Sequence, residues 1–272
     1  MSRVHDAMQR AGMRPLAQAP VAVRPQTATV AEAPSADTIA TVAPVGVAIT
    51  RDTVLDPRMD PIVVDELRKL ASAVQQARLA QDLKVFSIAS SAPEEGKSMT
   101  ALNLALTLAS SYSLQVLLID ADLRAPSVAG ILEVPASPGL TDLLSAPSGA
   151  PWPLYQAAPS LAVLTAGQRT RDPISRISSV RMKEILTKAR ERFEVIIIDT
   201  PPIGPFPDAA LLAAMSDATL LVIGAGTTPS KAARRAVDVI GEERILGVVL
   251  NRVVWAALSE NYGYYGRYRH SD

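Results

Sequence analysis

The chain has 272 residues, 48% of them hydrophobic, which is enough for one domain with a sizeable core. Its formal net charge is zero, so no global attraction to nucleic acid or to an anionic membrane is expected. The absence of cysteine excludes disulfides, thiol catalysis and cysteine-based zinc sites, and fits a cytoplasmic protein. No apolar run approaches the roughly 18 residues that a membrane-spanning helix needs.

The first 60 residues are rich in Ala, Pro, Val and Thr, and no helical or strand periodicity connects the recurring prolines. This composition predicts a flexible leader over residues 1–60. Pro61 then opens a predicted helix that runs to about Leu83, because apolar residues recur at helical spacing and proline is favoured in a first turn. We expect the main domain to cover residues 61–252.

The first motif lies between a predicted buried strand, residues 84–90, and a predicted helix, residues 100–109. The segment Ser91-Ala92-Pro93-Glu94-Glu95-Gly96-Lys97-Ser98 fits a phosphate-binding P-loop, although Ser91 stands where the usual pattern has glycine. In such a loop, backbone N–H groups surround the phosphates, the lysine reaches the β- and γ-phosphates, and the final hydroxyl binds Mg²⁺. The alternative for this stretch taken alone is a glutamate-rich turn that caps a helix.

A second apolar run, residues 116–119, predicts a buried strand that ends at Asp120, and Asp122 follows two residues later. If the strand continued to Asp122, both carboxylates would point the same way. Such a pair needs a cation or a proton nearby, and beside a P-loop that cation is Mg²⁺. The alternative is a strand end followed by a charged turn.

A third apolar run, residues 195–198, ends at Asp199 and is followed by a turn that Pro201 and Pro202 enforce. This layout is typical of a Walker B strand, whose aspartate holds Mg²⁺ directly or through water. The carboxyl ends of parallel strands lie along one edge of a sheet, where ligands bind. We therefore expect the three motifs to form one nucleotide site.

Further strands are predicted at 161–164, 218–223 and 246–250, and further helices at 179–192, 208–215 and 230–240. Short apolar strands that alternate with helices predict an α/β fold, a mostly parallel twisted sheet with helices on both faces. Together with the loop motif, this is the architecture of a P-loop NTPase.

The last segment, residues 253–272, is predicted to be a flexible tail because glycines interrupt it. It carries four of the six tyrosines of the chain, Tyr262, Tyr264, Tyr265 and Tyr268. A flexible tail does not bury its rings in a fixed core, so the enrichment favours a cluster of phosphate acceptors. The alternative is a sticky tail that docks on a partner or on the domain.

These motifs, taken in order, resemble the bacterial tyrosine kinases of capsule and exopolysaccharide synthesis in their stand-alone cytoplasmic form, a group within the MinD/ParA-like superfamily. The resemblance covers residues 61–268. It rests on the P-loop with Asn103-Leu104-Ala105, on Asp120-Ala121-Asp122-Leu123-Arg124-Ala125-Pro126, on Pro138-Gly139-Leu140-Thr141-Asp142-Leu143-Leu144, on Ala166-Gly167, on Asp199-Thr200-Pro201-Pro202, on Asp208-Ala209, on Gly247-Val248-Val249-Leu250-Asn251 and on the tyrosine tail.

The resemblance implies a tyrosine autokinase that uses ATP and Mg²⁺ and phosphorylates the tail tyrosines of a neighbouring subunit. The nucleotide-binding residues that it implies are Pro93, Glu94, Glu95, Gly96, Lys97, Ser98, Met99, Asn251 and Arg252. The metal ligands are Ser98, Asp122 and Asp199. The catalytic residues are Lys97, Asp120 and Asp122, with Asp120 nearest the incoming tyrosine hydroxyl as a base or an orienting group.

The implied partners are a membrane chain-length determinant (polysaccharide co-polymerase) protein that activates the kinase at the inner face of the membrane, and a phosphotyrosine phosphatase. A homo-oligomer is also implied. The family often carries an E-x-x-R-x-x-R pattern in its opening helix that promotes ring assembly, but here Ile62 and Asp65 replace its first two residues and only Arg68 remains. Glu94 also replaces a usual glycine, and a positive φ there would strain it by about 1 kcal/mol.

Two other functions stay open. One is a MinD/ParA-like ATPase switch, whose loop resembles K-G-G-x-G-K-[ST]. Ala92 stands in place of its signature lysine, which argues against this class. The other is a nucleotide-binding regulatory module of a polysaccharide export complex that lacks phosphorylation activity.

Overall fold

The computed structural model describes residues 53–204 and 206–253, which belong to one compact unit. The four predicted phosphoacceptor tyrosines and residues 1–52 of the predicted leader lie outside this range. Among the described helices, none is long and apolar enough to cross a membrane.

Seven strands and eight α-helices make up the described part of the chain. The strands are β1 (Val85–Ser90), β2 (Val116–Asp120), β3 (Tyr155–Ala158), β4 (Leu161–Leu164), β5 (Val195–Asp199), β6 (Ala218–Gly224) and β7 (Ile245–Asn251). The helices are α1 (Pro61–Gln81), α2 (Lys97–Tyr112), α3 (Val128–Ile131), α4 (Leu140–Ser145), α5 (Pro173–Ile177), α6 (Val180–Arg192), α7 (Asp208–Met215) and α8 (Ser230–Ile240).

The strands form one sheet in the order β3-β4-β2-β5-β1-β6-β7. All neighbours are parallel except β3 and β4, so the predicted α/β fold with a mostly parallel sheet is confirmed. The strands β1, β2 and β5 lead into the three motifs and lie side by side, with β5 between the other two. In the register of β2 and β5, Asp120 lies opposite Asp199. The sheet therefore brings the second and third motifs together.

Both faces of the sheet are covered, which explains why its central strands are continuous apolar runs. Alternate residues of one strand enter different cores: Leu118 belongs to the core that includes α1 and α2, whereas Leu117 belongs to the core that includes α4 and α6. Helix α2 is buried along most of its length because it lies directly on the sheet. The P-loop at its start is therefore attached to the buried core of the domain.

The observed elements extend or refine several predictions. Helix α2 begins at Lys97 and reaches Tyr112, beyond the predicted 100–109. Residues 53–60, predicted to be the end of the leader, pack on the domain: Thr53 and Asp56 are buried, and Val54 N donates to Asn103 Oδ1 at 2.8 Å. The antiparallel edge strand β3 and the short helices α3, α4 and α5 were not predicted, since they are too short for a periodic pattern.

Candidate active site

The P-loop connects β1 to α2 and contains two residues with positive φ. Gly96 has φ +86° and Glu94 has φ +61°. Glycine is favoured at position 96 by this positive φ, and a Cβ there would lie 1.9 Å from Asn251 Nδ2, so the amide would have to move. Glu94 is exposed. Its positive φ is the conformation that was expected to strain any residue other than glycine at this position.

Lys97, at the first position of α2, is buried and turned toward the carboxyl ends of the neighbouring strands. Its Nζ lies 2.7 Å from Asp199 Oδ1 and 4.0 Å from Asp122 Oδ2, and it donates to Ser98 Oγ at 3.1 Å. The structure therefore brings together the P-loop lysine, the predicted metal ligands and the Walker B aspartate. One ammonium group faces two carboxylates here, so the cluster has an excess of negative charge.

Asp199 is fully buried, and its second oxygen, Oδ2, has no hydrogen-bond partner in the structure. Burial raises the pKa of Asp199 above its usual range, although Lys97 and Ser98 oppose the shift. An unpaired buried carboxylate oxygen is unfavourable unless a ligand or a proton satisfies it. Asp199 Oδ2 is therefore available to a ligand or a proton.

These oxygen donors fit Mg²⁺. In the part of the chain that the structure describes, no group of three or more His, Cys, Asp or Glu side chains could hold a metal ion alone. Mg²⁺ beside a P-loop does not need such a cage, because one or two carboxylates, a hydroxyl and the phosphates suffice. Ser98, Asp122 and Asp199 supply that set.

Asp122 is held by the loop that follows β2. Its Oδ1 accepts hydrogen bonds from Arg124 N at 3.3 Å and from Ala125 N at 2.9 Å, while Oδ2 faces Lys97. The strand ends at Asp120, so the side chain of Asp122 is oriented by this turn and not by strand alternation.

Asp120 is fully buried and its carboxylate is directed into the same loop. Oδ2 accepts from Ser127 N at 3.2 Å and from Val128 N at 3.1 Å, and Oδ1 accepts from Asp122 N at 3.2 Å. Burial, reinforced by the charge of Asp199, raises the pKa of Asp120 to about 7. With both oxygens bound to backbone N–H groups, Asp120 is placed to hold the loop that carries Asp122, which favours an orienting role over that of a base.

The remaining residues predicted to bind nucleotide differ in their exposure and in their contacts. Pro93 is exposed and Met99 is half-buried, both on the P-loop or at the start of α2. The carboxylate of Glu95 is buried among loop hydrogen bonds. Asn251 Nδ2 donates to the Glu95 carbonyl oxygen at 2.9 Å, and Arg252 follows it exposed, with φ +57°.

A further set of contacts beside the site was not predicted. Arg124 forms a two-point ion pair with the buried carboxylate of Asp208, and its guanidinium carbon lies 3.7 Å from the centre of the Phe206 ring. The interaction connects the loop of Asp122 to the start of α7. Both charged residues belong to the motifs of the family resemblance, but local sequence gives no signal that they pair across 84 positions.

This fold and site define a P-loop nucleotide-binding domain. The model of the "CobQ/CobB/MinD/ParA nucleotide binding domain" family matches residues 86–262. The MinD cell division ATPase of Pyrococcus furiosus has the same fold at 21% sequence identity, with a TM-score of 0.51 over 65% of this chain and 78% of that chain.

The sequence relatives are more specific. Tyrosine-protein kinase YwqD of Bacillus subtilis is 35% identical over 74% of this chain and 86% of its own length, and tyrosine-protein kinase CpsD of Streptococcus agalactiae is 32% identical over 70% and 83%. The structure of the VpsO kinase domain is 35% identical over 71% of this chain and 96% of that chain, with a TM-score of 0.62. The chain belongs to the bacterial tyrosine kinase family, so the resemblance noted in the sequence is confirmed.

Proposed function

We propose that the protein is a tyrosine autokinase that transfers the γ-phosphoryl group of ATP to tyrosines in its own C-terminal segment, with Mg²⁺ as cofactor. The acceptors are Tyr262, Tyr264, Tyr265 and Tyr268. The observation that carries the proposal is the position of Lys97 between the carboxylates of Asp199 and Asp122, next to Ser98 and at the end of a P-loop. The kinase names of the relatives support the choice of reaction.

In this reaction the tyrosine oxygen forms a bond to the γ-phosphorus as the bond to the bridging oxygen breaks and ADP leaves. The transition state is loose, so positioning and charge neutralisation contribute more than proton removal. The backbone N–H groups of the P-loop and Lys97 would hold the phosphates. Bound Mg²⁺, held by Ser98, Asp122 and Asp199, would neutralise the charge that develops on the phosphate oxygens.

Asp120 has a supporting role in this proposal. Its three backbone hydrogen bonds fix the loop from Asp122 to Val128, so it orients Asp122 and does not remove the tyrosine proton. The acceptor hydroxyl does not need a strong base, because in a loose transition state it loses its proton late.

We further propose that the kinase acts in polysaccharide production, at the inner face of the membrane, with a chain-length determinant protein as activator. One relative is named "Succinoglycan biosynthesis transport protein ExoP" of Rhizobium meliloti; it is 32% identical over 80% of this chain, which covers 30% of the ExoP length. A homo-oligomer that phosphorylates its tails between subunits and a phosphotyrosine phosphatase that reverses the modification complete the proposal.

The test is the intact mass of the protein, treated with phosphatase and then incubated with Mg²⁺ and ATP, followed by mapping of the modified sites. We expect added phosphates on the C-terminal tyrosines. Replacing Tyr262, Tyr264, Tyr265 and Tyr268 with Phe should remove most phosphotyrosine and leave ATP binding unchanged. Tyr112, which is partly exposed, and Tyr155, which is buried, serve as internal controls.

Phosphate found mainly on Tyr112 or Tyr155 would refute the assignment of the tail. ATP binding without any phosphorylation, even when the cytoplasmic segment of a chain-length determinant protein is added, would favour the regulatory module instead.

A further inference from the structure

The P-loop contains a buried carboxylate, that of Glu95. Glu95 is 5% exposed, and its Oε2 accepts a hydrogen bond from Ala92 N at 2.9 Å. The Ser91 hydroxyl donates to both carboxylate oxygens, at 2.9 and 3.1 Å. The Thr228 hydroxyl donates to Oε1 from the β6–α8 loop, residues 225–229. These partners are all hydrogen-bond donors, and Thr228 lies 133 positions away in the chain.

The backbone of the same residue is held from the neighbouring strand. Asn251, the last residue of β7, donates from Nδ2 to the Glu95 carbonyl oxygen at 2.9 Å, and its amide fills the space beside Gly96. Strands β6 and β7 are neighbours, and Gly224 pairs with Asn251 in their register. Thr228 and Asn251 thus hold Glu95 from the carboxyl ends of two adjacent strands.

The hydrogen bonds around Glu95 fix the position of its negative charge within the loop. A carboxylate that was free to turn into a phosphate-binding loop would repel the anionic ligand, and the donors from Ser91, Ala92 and Thr228 hold the carboxylate of Glu95 in one place. Burial alone would raise the pKa of Glu95, but these hydrogen bonds lower it below its usual value, so the group stays ionised at neutral pH. An ionised group accepts stronger hydrogen bonds than a neutral one, and the contact with Thr228 gains from this.

We propose that Glu95 is a positioning residue that couples the P-loop to the β6–α8 loop through Thr228, and that this contact preorganises the loop for phosphate binding. The proposal rests on the proposed function in one respect, since its effect on affinity assumes that the loop binds ATP. The contact lies within the protein and can be tested in nucleotide-free protein.

The experiment compares Thr228→Val with Thr227→Val in the full-length protein. The two threonines are adjacent, but Thr227 donates only to Gly224 O, at 3.2 Å, and does not reach the P-loop. We expect Thr228→Val to weaken the binding of a non-hydrolysable ATP analogue by about tenfold, the effect of one hydrogen bond to a charged group. Backbone amide exchange of residues 94–98 in the nucleotide-free protein should also become faster. Thr227→Val should change neither.

Three further variants separate this contact from a general loss of structure. Thr228→Ser keeps the hydroxyl and should restore both readouts. Thr228 Oγ1 also accepts from Gly224 N at 3.1 Å, so Thr228→Val disturbs that bond as well. In a double-mutant cycle with Glu95→Ala, the double variant should bind the analogue no more weakly than Glu95→Ala alone, because Thr228 acts through Glu95.

Equal affinity and equal exchange in Thr228→Val and the wild type would overturn the coupling. Additive effects in the cycle would overturn it too, since Thr228 would then act independently of Glu95. If the wild type did not bind the analogue, the proposed function would fail. The coupling of Glu95 to Thr228 would then be tested by amide exchange alone, and unchanged exchange of residues 94–98 in Thr228→Val would overturn it.

Discussion

The two ends of the central sheet differ in how completely their carboxylates are paired. At the carboxyl end, the carboxylates of Asp122 and Asp199 share one lysine, and an oxygen of Asp199 has no partner. At the amino end, Asp217 lies just before β6 and both of its oxygens are satisfied. Its Oδ2 accepts from Lys84 N and Val85 N at 2.8 Å each, and the guanidinium of Arg190 binds both oxygens at 2.9 and 2.6 Å.

The difference separates stability from function. The Asp217 cluster joins the starts of β1 and β6 to α6 and leaves nothing for a ligand to complete. The Asp199 cluster is incomplete within the protein and becomes favourable only with a cation or a proton, as expected of a binding site. Changes at the amino end should therefore alter the free energy of unfolding, and changes at the carboxyl end should alter activity.

The largest effect is expected from Lys97→Met, compared with Lys84→Met at the opposite end of the same strand–loop–helix unit. Lys97→Met removes the cation of the site, and autophosphorylation should fall by about 100-fold or more. Lys84 Nζ donates only to Arg190 O, at 3.1 Å, so Lys84→Met should keep its activity. Incorporation of labelled phosphate measures both.

Persistent autophosphorylation in Lys97→Met would contradict the role of Lys97. The variant should fold, because burial without a nearby cation shifts Asp199 further toward its protonated form. Its stability deficit should then be smaller at pH 6 than at pH 8.

The second expected effect is a dependence of wild-type stability on pH. The pKa values of Asp120 and Asp199 are raised in the folded state, so the folded protein binds protons more tightly than the unfolded chain. The free energy of unfolding should therefore fall as pH rises from about 4, the unfolded value, to about 7, and then level off. The total change is at most a few kcal/mol.

Urea denaturation between pH 5 and pH 8, without nucleotide, measures this decline. Mg²⁺ with ADP should make the slope shallower, because a cation favours the ionised carboxylates. A stability that increased with pH through this range would show that the carboxyl end carries no such excess charge.

At the amino end, Asp217→Asn should destabilise the fold by about 2 kcal/mol. The carboxylate accepts four hydrogen bonds, whereas the NH₂ group of asparagine would face the N–H donors of Arg190 or of the backbone. Asp65→Asn breaks an exposed ion pair with Arg68 and should cost about 0.5 kcal/mol or less. Both variants should keep their kinase activity when it is measured without urea, where both are folded.

The Asp217→Asn difference should also depend on pH in a defined direction. Burial opposes the shift, but Arg190 and the backbone N–H groups lower the pKa of Asp217 below its usual value. The stability it contributes is therefore present above about pH 4 and is lost only as pH falls below that value. Equal free energies of unfolding for Asp217→Asn and the wild type near neutral pH would contradict this prediction.

The sequence was sufficient to predict the central strands and the edge of the sheet at which they end. The apolar runs before Ser91, Asp120 and Asp199 placed β1, β2 and β5, and the edge rule for parallel sheets placed their ends together. The contacts between distant segments could not be predicted. Thr228 reaches Glu95 and Asp217 reaches Lys84, each across 133 positions, and no local pattern marks either pair. The orientation of Asp120 was also missed, because it depends on a loop whose short helix has no periodic signal.

The smallest effect concerns backbone conformation, and it compares Glu94 in the P-loop with Asp82 at the end of α1. Both residues are exposed and have positive φ, +61° and +53°. Glycine at either position should relieve about 1 kcal/mol of strain, partly offset by the greater entropy of the unfolded chain. The two variants should therefore gain a similar, small stability in urea denaturation. Only Glu94→Gly removes a carboxylate beside the phosphate position, so only that variant should bind ATP more tightly. Equal ATP affinities in both variants would mean that the charge of Glu94 does not reach the nucleotide site.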